Sequence, residues 1–338
     1  MQYLKKLFTT LCILYLTLVG INIIVDPYDK IGFNLLNLKI KGVFDHRTNK
    51  FLYLDNPNNK YEAFILGSSR TMQIQSSIVE KETGYKTFNY AVYTATPEDY
   101  LAMTRHIIKT QNPKLIILHI DFYSLNESLQ PTNQFFESPL FKYLNTSDQK
   151  KSNFFFFPKS YLSFIALKDS IKIIEKNIKN KEKSVYLADG VSYPQYQKNK
   201  DYKLLDEYWQ NEYKNFKISH NRLSYLQEIQ NLCQENRIKL YVSLSPVSYN
   251  HYLKIQSATI LKQGERSIKM ELCKIFPSYV DFFNKNIKEY STSRYWMDSV
   301  HPSTIMATLL TYDIMSNENN QTKKVGHYIN CQKDTNFQ

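Results

Sequence analysis

Short apolar runs separated by helical segments constrain the fold of this chain more than any other feature. The clearest runs are residues 63–66 (AFIL) and 114–120 (KLIILHI), and further strand patterns occur at 87–92, 239–245 and 279–283. A continuous apolar strand suits the centre of a parallel sheet that is covered on both faces, and intervening helices supply the crossover connections. The pattern therefore predicts an α/β fold, a three-layer sandwich built on a mainly parallel sheet.

Helix signals lie between the predicted strands. The clearest helix begins after Thr96, a good N-cap residue, because Pro97 takes the first helical position and Asp99 is the acid three residues after the cap. Pro113 marks its end. Further helices are expected over 161–178, 220–236 and 255–275, and after Pro302. This alternation of strand and helix favours one large α/β domain.

An uncharged apolar run stands at the N-terminus. Residues 7–25 (LFTTLCILYLTLVGINIIV) follow two lysines, and about 20 apolar residues are enough for a helix to cross a bilayer. The lysines favour a cytoplasmic N-terminus. A cleaved signal peptide is the rival interpretation, but the run stays apolar up to Asp26 and contains no good cleavage site. We expect a cytoplasmic tip at 1–6, an uncleaved transmembrane signal anchor at 7–25, and the rest of the chain outside the cytoplasm.

Polar stretches divide the remainder of the chain. Residues 26–60 contain Asp-Pro and Asn-Pro breaks and resemble a linker. Strand and helix patterns then run from 61 to 316, except at about 126–215, which we interpret as an insertion and as a candidate lid. Residues 317–338 are expected to form a loose polar tail.

Composition and cysteine spacing argue against several classes of function. The formal net charge is +12, but the lysines are scattered, so we favour solvated surface lysines and no nucleic-acid partner. A disulfide between Cys233 and Cys273 is compatible with an oxidising compartment, although two buried thiols are the favoured interpretation. The chain contains no C-x-x-C, H-x-H or H-E-x-x-H spacing and no phosphate loop, so we expect no metal and no cofactor.

A serine motif follows the first predicted strand. Ligands of parallel α/β sheets bind at the carboxyl ends of the strands, where Gly67-Ser68-Ser69 would lie. Residues from Ser68 onward look like the start of a helix, so the backbone N–H of Ser69 can help to hold an oxyanion. A serine that merely caps a helix is the structural alternative.

An Asp-x-x-His motif precedes the last predicted helix. His301 can deprotonate a serine hydroxyl, and the carboxylate of Asp298 can orient the imidazole and stabilise its charged form. The offset of three residues lets both side chains meet within one turn. A surface loop, or a helix cap by Asp298, is the alternative interpretation.

Together the two motifs resemble the SGNH/GDSL hydrolase superfamily, whose members carry a serine after the first strand and Asp-x-x-His before the last helix. The resemblance spans roughly residues 61–316 without the insertion, and it is closest to membrane-anchored proteins of alginate and other exopolysaccharide O-acetylation. The blocks of that branch match Asp26-Pro27, Gly67-Ser68-Ser69-Arg70 and Val280-Asp281-Phe282. The resemblance implies an SGNH/flavodoxin-like fold with Ser69 as nucleophile, His301 as base and Asp298 as its orienting acid.

The oxyanion hole departs from the pattern of that family. The second-block glycine falls near Thr94, and the third-block asparagine, a side-chain donor, falls at Asp121. An ionised aspartate cannot donate a hydrogen bond. Either Asp121 is protonated, or it pairs with a cation such as Arg70, or another residue completes the hole. The resemblance thus implies an oxyanion hole of Ser69, Thr94 and Asp121, with Arg70 as a substrate-binding candidate.

Acyl transfer is the chemistry that such a site would perform. We expect an O-acetyltransferase or acetylesterase of the inner membrane, with its catalytic domain in the periplasm and a cell-envelope or secreted polysaccharide as substrate. The resemblance further implies a multi-spanning membrane acyltransferase as the acetyl donor. Two rival hypotheses are a catalytically inactive SGNH-fold protein that binds glycan or scaffolds an envelope complex, and a metal hydrolase, which the missing ligand spacings disfavour.

Overall fold

The computed structural model describes residues 1–27, 35–36, 38, 46–144, 161–178, 184–186, 189–194, 209–315 and 325–333. The chain divides into two compact units, which we call the anchor unit (Met1–Asp45 and Ser147–Lys183) and the sheet unit (His46–Thr146 and Ser184–Gln338). The expected insertion at 126–215 is therefore divided between both units. Parts of the predicted linker, insertion and tail lie outside the described residues.

A six-stranded, mainly parallel sheet forms the centre of the sheet unit. In chain order the strands are β1 (Ala63–Leu66), β2 (Thr87–Asn89), β3 (Leu115–Ile120), β4 (Ser184–Tyr186), β5 (Ser192–Pro194), β6 (Lys239–Leu244), β7 (Ser278–Asp281) and β8 (His327–Asn330). The main sheet has the order β2-β1-β3-β6-β7-β8, and its neighbours are parallel except β7 and β8. Strands β4 and β5 form a separate antiparallel pair. The expected mainly parallel α/β architecture is confirmed.

Strand β3 occupies the middle of this sheet, as its unbroken apolar run predicts. Leu115 pairs with Ala63 of β1 on one side and with Lys239 of β6 on the other, and all six residues of β3 are buried. In β1, Phe64 belongs to one hydrophobic cluster and Ile65 to a second. Because successive side chains of a strand point to opposite faces, both faces of β1 are covered.

Ten α-helices are described between and around the strands. They are α1 (Gln2–Val25), α2 (His46–Asp55), α3 (Ser76–Thr83), α4 (Pro97–Thr110), α5 (Asn133–Glu137), α6 (Phe164–Ile178), α7 (His220–Glu235), α8 (Tyr249–Ser257), α9 (Thr259–Ile275) and α10 (Thr304–Met315). Leu101 of α4, Leu226 of α7 and Leu272 of α9 join the cluster of Phe64. Val79 of α3 and Leu310 of α10 join the other cluster.

The structure corrects two helix predictions. The helix α4 begins where its capping signal places it, and the backbone N–H of Thr96 donates to Asp99 at 3.1 Å. The single helix expected over 255–275 is wrong, because the backbone of Ala258 is extended and separates α8 from α9. Likewise, no helix starts at Ser69: successive turns follow β1, and α3 begins only at Ser76.

Parts of two predicted polar flanks, the linker and the tail, belong to the folded sheet unit. The predicted linker contains α2, which buries Phe51 and Leu54 in the core together with Arg47 and Lys50. The predicted tail contains β8, which pairs with β7. The helix was missed because its buried face carries Arg47 and Lys50 beside apolar residues, and the strand was missed because none of its four residues is buried.

A disulfide joins Cys273 near the end of α9 to Cys331 immediately after β8. The pairing of Cys233 with Cys273, which the sequence left open, is therefore wrong. The favoured interpretation of two buried thiols is correct for Cys233, a buried free thiol of α7, and wrong for Cys273. The true partner could not be chosen from spacing, because β8 had not been recognised as a strand next to β7.

Removing this disulfide is expected to destabilise the sheet unit. The bond closes a loop between residues 58 positions apart, and loops of this length restrict the unfolded chain enough to contribute about 2–4 kcal/mol. We expect Cys331→Ser to lower the thermal midpoint, and a reductant to lower the parent's midpoint equally. Cys12→Ser is the control and should leave the midpoint unchanged. An unchanged midpoint in Cys331→Ser would show that β8 is held by its backbone pairing alone.

The anchor unit consists of α1 and the segment that packs against it. Helix α1 has 24 residues and is long and apolar enough to cross a membrane. Helix α6 packs along it, with Ala166 and Ile173 buried. Residues between 145 and 160, a part of the expected lid, lie outside the described residues.

Candidate active site

Three side chains from two distant parts of the sequence meet at the carboxyl end of β1. The Oγ atom of Ser69 lies 2.9 Å from Nε2 of His301, and Nδ1 of His301 lies 2.6 Å from Oδ2 of Asp298. Both distances lie within hydrogen-bond range. With its proton on Nδ1, His301 donates to Asp298 and accepts from the Ser69 hydroxyl. This is the arrangement that a nucleophilic serine requires.

A close approach of the backbone shapes the turn that carries Ser69. A Cβ atom at Gly67 would lie only 2.3 Å from Oγ1 of Thr71, so no larger residue fits there without displacing this turn. The N–H of Thr71 donates to the carbonyl of Ser68 at 2.9 Å, which closes the turn around Ser69. The glycine of the motif therefore has a packing role, and the serine beyond it is half-buried beside His301.

The loop before α10 holds Asp298 and His301 in a fixed relation. Oδ1 of Asp298 accepts the N–H groups of Val300 and His301, both at 2.8 Å, while Oδ2 faces the imidazole. Burial alone would raise the pKa of Asp298, but the hydrogen bond and charge of His301 and the two backbone donors lower it below its usual value. Asp298 is therefore an ionised carboxylate at neutral pH.

Thr94 lies on the loop that follows β2, beside the serine turn. The N–H of Val92 donates to the carbonyl of Gly67 at 3.1 Å, so this loop runs along the end of β1. Thr94 is exposed and has φ 49°, in the left-handed region that β-branched residues rarely adopt. Glycine is the residue that most readily adopts this left-handed backbone.

Asp121 and Arg70 are both buried, and Arg70 makes its hydrogen bonds with a third residue, Glu212. Nη1 of Arg70 lies 3.7 Å from Oδ1 of Asp121, within ion-pair distance but too far for a hydrogen bond. Nη2 of Arg70 instead donates to both carboxylate oxygens of Glu212, at 2.9 and 2.8 Å. The guanidinium also lies 4.5 Å from the centre of the Tyr123 ring. Arg70 is thus held inside the protein rather than presented to solvent.

The two carboxyl groups around Arg70 share a single cation. Burial raises the pKa of Asp121, and the nearby Arg70 charge opposes this effect. Burial also raises the pKa of Glu212, again against Arg70. Among the described residues, Arg70 is the permanently charged cation beside both acids, so ionising both would leave a buried net negative charge, which is unfavourable.

Helix α2 supports the Thr94 loop through two buried basic side chains. Nη2 of Arg47 donates to the carbonyl of Tyr93 at 2.7 Å, and its Nε donates to Asp99 at 2.7 Å. Nζ of Lys50 donates to the carbonyls of Asn89 and Ala91, at 2.8 and 2.7 Å. Both side chains thus donate to backbone carbonyls of the segment that leads from β2 to Thr94. These bonds indicate that α2 holds the backbone of the Thr94 loop in place.

The buried Lys50 predicts a pH dependence of stability. Burial lowers the pKa of Lys50 to about 7, although the Asp189 carboxylate acts in the opposite direction. The unfolded chain keeps this proton up to about pH 10, so it binds more protons than the folded chain between the two values. Stability attributable to Lys50 therefore rises with pH across this window and is lowest below about pH 7.

We compare the free energy of unfolding of Lys50→Met with that of the parent at the same pH. The variant should compare better with the parent at about pH 6 than at about pH 9, because the parent carries the buried charge at the lower pH. The lost hydrogen bonds to the two carbonyls lower stability at both pH values, so the pH-dependent part reports the buried charge. Thermal unfolding of both proteins at the two pH values measures it. The same difference at both values would show that Lys50 titrates normally in the folded protein.

Several functional neighbours were not recognised from sequence. Glu212 falls in the stretch interpreted as an insertion, and Arg47 and Lys50 fall in the predicted linker. A signal for α2 was present, because Arg47, Lys50, Phe51 and Leu54 follow the spacing of one helical face. No comparable signal points to Glu212, since nothing in a sequence of scattered charges indicates which acid meets Arg70.

No metal site is apparent in the part of the chain that the structure describes, where no three His, Cys, Asp or Glu side chains are grouped to hold an ion. No protein-family model matches the chain, and no curated protein matches it either.

Proposed function

We propose that this chain is a serine-dependent acyl-ester enzyme, an O-acetyltransferase or acetylesterase that acts on a cell-envelope or secreted polysaccharide. The observation that carries the proposal is the continuous hydrogen-bonded series from Ser69 through His301 to Asp298. A serine that merely caps a turn would not need an imidazole at 2.9 Å, nor an ionised acid behind that imidazole.

The proposed reaction proceeds in two half-reactions. Ser69 Oγ attacks the carbonyl carbon of an acetyl ester while its proton passes to Nε2 of His301, and Asp298 stabilises the imidazolium. The tetrahedral intermediate collapses as His301 returns that proton to the leaving alcohol, which leaves acetyl-Ser69. Water or a sugar hydroxyl then attacks the acetyl group by the same steps in reverse. Water gives an esterase, and a sugar hydroxyl gives an O-acetyltransferase.

The finer description of fold and location belongs to the same proposal. A three-layer, SGNH/flavodoxin-like sandwich is supported by the two hydrophobic clusters on the opposite faces of β1. An extracytoplasmic sheet unit is supported by the Cys273–Cys331 disulfide, since such bonds persist in oxidising compartments. Helix α1 would cross the inner membrane with its N-terminus in the cytoplasm. A multi-spanning acyltransferase would supply the acetyl group.

A protonated Asp121 is the form of this residue that suits an oxyanion hole. Glu212 takes the hydrogen bonds of Arg70, which leaves Asp121 as the carboxyl group with the weaker cationic partner. A neutral carboxylic acid has one O–H donor, so it can serve where the related proteins use an asparagine amide. Ser69 and Thr94 would supply backbone donors to the same oxyanion.

We expect Asp121→Asn to retain acetyl-ester turnover at neutral pH, because the amide donates as the protonated acid does. Asp121→Ala should lower kcat by about 10²–10³-fold, the effect of losing one oxyanion donor. Steady-state rates of the three proteins measure this, and circular dichroism checks their folding. Equal rates in Asp121→Ala and the parent would remove Asp121 from the oxyanion hole.

A catalytically inactive glycan-binding or scaffold protein is the second candidate function. The carboxyl group at the third oxyanion position favours it, because an ionised Asp121 would repel the developing negative charge. In that case the contacts of Ser69 and His301 would serve only to hold the loops of a binding surface.

Reaction with a serine-directed fluorophosphonate separates the two candidates. The full-length chain in detergent is incubated with the probe, and the labelled peptide is located by mass spectrometry. Labelling at Ser69, together with acetyl release from a model acetyl ester, is expected of the enzyme. Absence of labelling in folded protein over a wide pH range would leave the binding protein as the function.

A further inference from the structure

The anchor unit carries a second apolar surface besides that of α1. Helix α6 exposes Phe164, Ile171 and Ile178, which are 76%, 48% and 77% accessible. They are spaced by seven residues and so lie on one side of the helix. The half-buried Leu167 and Ile174 border them. We call these five residues the apolar stripe; large exposed apolar patches of this kind usually mark an interaction surface.

Helix α6 has two further faces that define the orientation of the stripe. Ala166, Ser170 and Ile173 are buried against α1. Lys168 and Lys172 are exposed on the side away from them. At 100° per residue the stripe lies between the buried face and the charged side. A helix with separate contact, apolar and charged faces fits the boundary between a membrane and water.

Hydrogen bonds attach the start of α6 to the final turns of α1. Nδ2 of Asn22 donates to the carbonyls of Tyr161 and Ser163, at 2.7 and 3.3 Å, and its Oδ1 accepts from the hydroxyl of Ser170 at 3.0 Å. Tyr161 also donates to Asp26. Asn22 is fully buried although it belongs to the apolar helix. A polar residue inside a membrane span is usually satisfied by another protein segment.

These contacts set the depth of α6. If α1 crosses the bilayer, Asn22 lies close to the outer end of the span, because the helix ends at Val25. The residues bonded to Asn22 must then lie at the same depth, where the surroundings of an exposed side chain are lipid. Tyr15 lies deeper in the span than Asn22, and its hydroxyl donates to the carbonyl of Leu162. This bond is a further attachment of the segment before α6 to α1.

We infer that α6 is an interfacial membrane helix, with its apolar stripe inserted among the lipids of the outer face of the bilayer that α1 crosses. The protein would thus be held by one spanning and one interfacial helix. The lysines on the charged side would lie among the lipid headgroups, where long basic side chains keep their charge in water. This inference rests on the proposed membrane anchor.

Tryptophan probes in brominated lipid test the inference on the full-length chain. Phe164→Trp and Ile178→Trp place the probe in the stripe, Lys172→Trp places it on the charged side of the same helix, and Leu14→Trp places it on the exposed apolar surface of α1. Each protein is reconstituted in vesicles of phosphatidylcholine with or without bromine on the acyl chains. The parent corrects for the native Trp209 and Trp296.

Brominated lipid should quench the fluorescence of the introduced tryptophan about twofold or more in Phe164→Trp and Ile178→Trp. It should quench that of Lys172→Trp little. Quenching in Leu14→Trp alone would overturn the interfacial helix while leaving the anchor intact. No quenching in any variant would overturn the anchor as well. Blue-shifted but unquenched emission in the stripe variants would show that a second copy of the chain covers the stripe, which also overturns the inference.

Discussion

Ser69→Ala is expected to eliminate the acyl-enzyme and to lower acetyl-ester turnover by about 10⁴-fold or more. The hydroxyl that lies 2.9 Å from Nε2 of His301 is the only nucleophile in this hydrogen-bonded series, so nothing replaces it. The remaining backbone donors would still favour an oxyanion, and slow attack by water would account for any residual rate. The measurement is the burst and steady-state release of acetate from a model ester by the full-length chain.

A matched serine substitution controls for the general effects of the change. Ser77→Ala alters an exposed serine of α3, eight residues further along the chain, and should keep the parent rate. His301→Ala alone, and combined with Ser69→Ala, should reduce turnover about as much as Ser69→Ala alone, because residues that act as one unit are not additive. Reductions that multiply in the double variant would mean that Ser69 and His301 act independently and would contradict the proposed triad.

Arg47→Ala is expected to destabilise the sheet unit by about 3–5 kcal/mol, or to lower its thermal midpoint by about 10 °C. Arg47 and Asp99 are both fully buried, and two nitrogens of Arg47 donate to the Asp99 carboxylate, at 2.7 and 3.2 Å. Removing the cation leaves a buried carboxylate with only the Thr96 N–H as its partner among these contacts. The Tyr93 carbonyl loses a donor as well.

The pH dependence of this destabilisation identifies its cause. Burial raises the pKa of Asp99 and Arg47 opposes the rise, so loss of Arg47 raises that pKa further. A raised folded-state pKa favours the folded state at low pH, and that contribution is lost as the pH rises through it. The loss of stability in Arg47→Ala, relative to the parent at the same pH, should therefore be smaller at about pH 5 than at about pH 8.

Two further variants complete the design. Arg47→Met with Asp99→Asn removes both charges and should recover much of the lost stability, because an uncharged pair avoids the unpaired carboxylate. Arg266→Ala changes an exposed arginine of α9 and should alter the midpoint little. A double variant as unstable as Arg47→Ala would assign the effect to lost packing and to the Tyr93 carbonyl instead of the buried charge.

The site residues differ in how far the sequence could lead to them. Ser69, Asp298 and His301 were selected because each motif lies beside a strand or helix end that the sequence itself predicts. The contact between Ser69 and His301 joins residues 232 positions apart, and only the parallel sheet explains why they meet. For Asp121 and Arg70 the ion pair was anticipated, but Glu212, which takes the hydrogen bonds of Arg70, was not.

The errors in the fold share a physical origin. The helix α2 buries charged residues and no residue of the strand β8 is buried, so hydrophobic periodicity underestimates both of them. The break at Ala258 changes only one residue of an otherwise helical pattern, and no proline or glycine marks it. In each case the surroundings in the folded protein, and not local propensity, decide the backbone conformation.

Sequence alone was sufficient for the features that a few neighbouring residues control. Apolar runs indicated the mainly parallel sheet, the capping residues indicated the start of α4, and the apolar run at 7–25 indicated the helix α1. Tertiary structure alone decided which distant groups are partners: Arg47 with Asp99, Arg70 with Glu212, and Cys273 with Cys331. The reason is that local geometry depends on successive dihedral angles, whereas the pairing of buried charges and thiols depends on how whole elements pack.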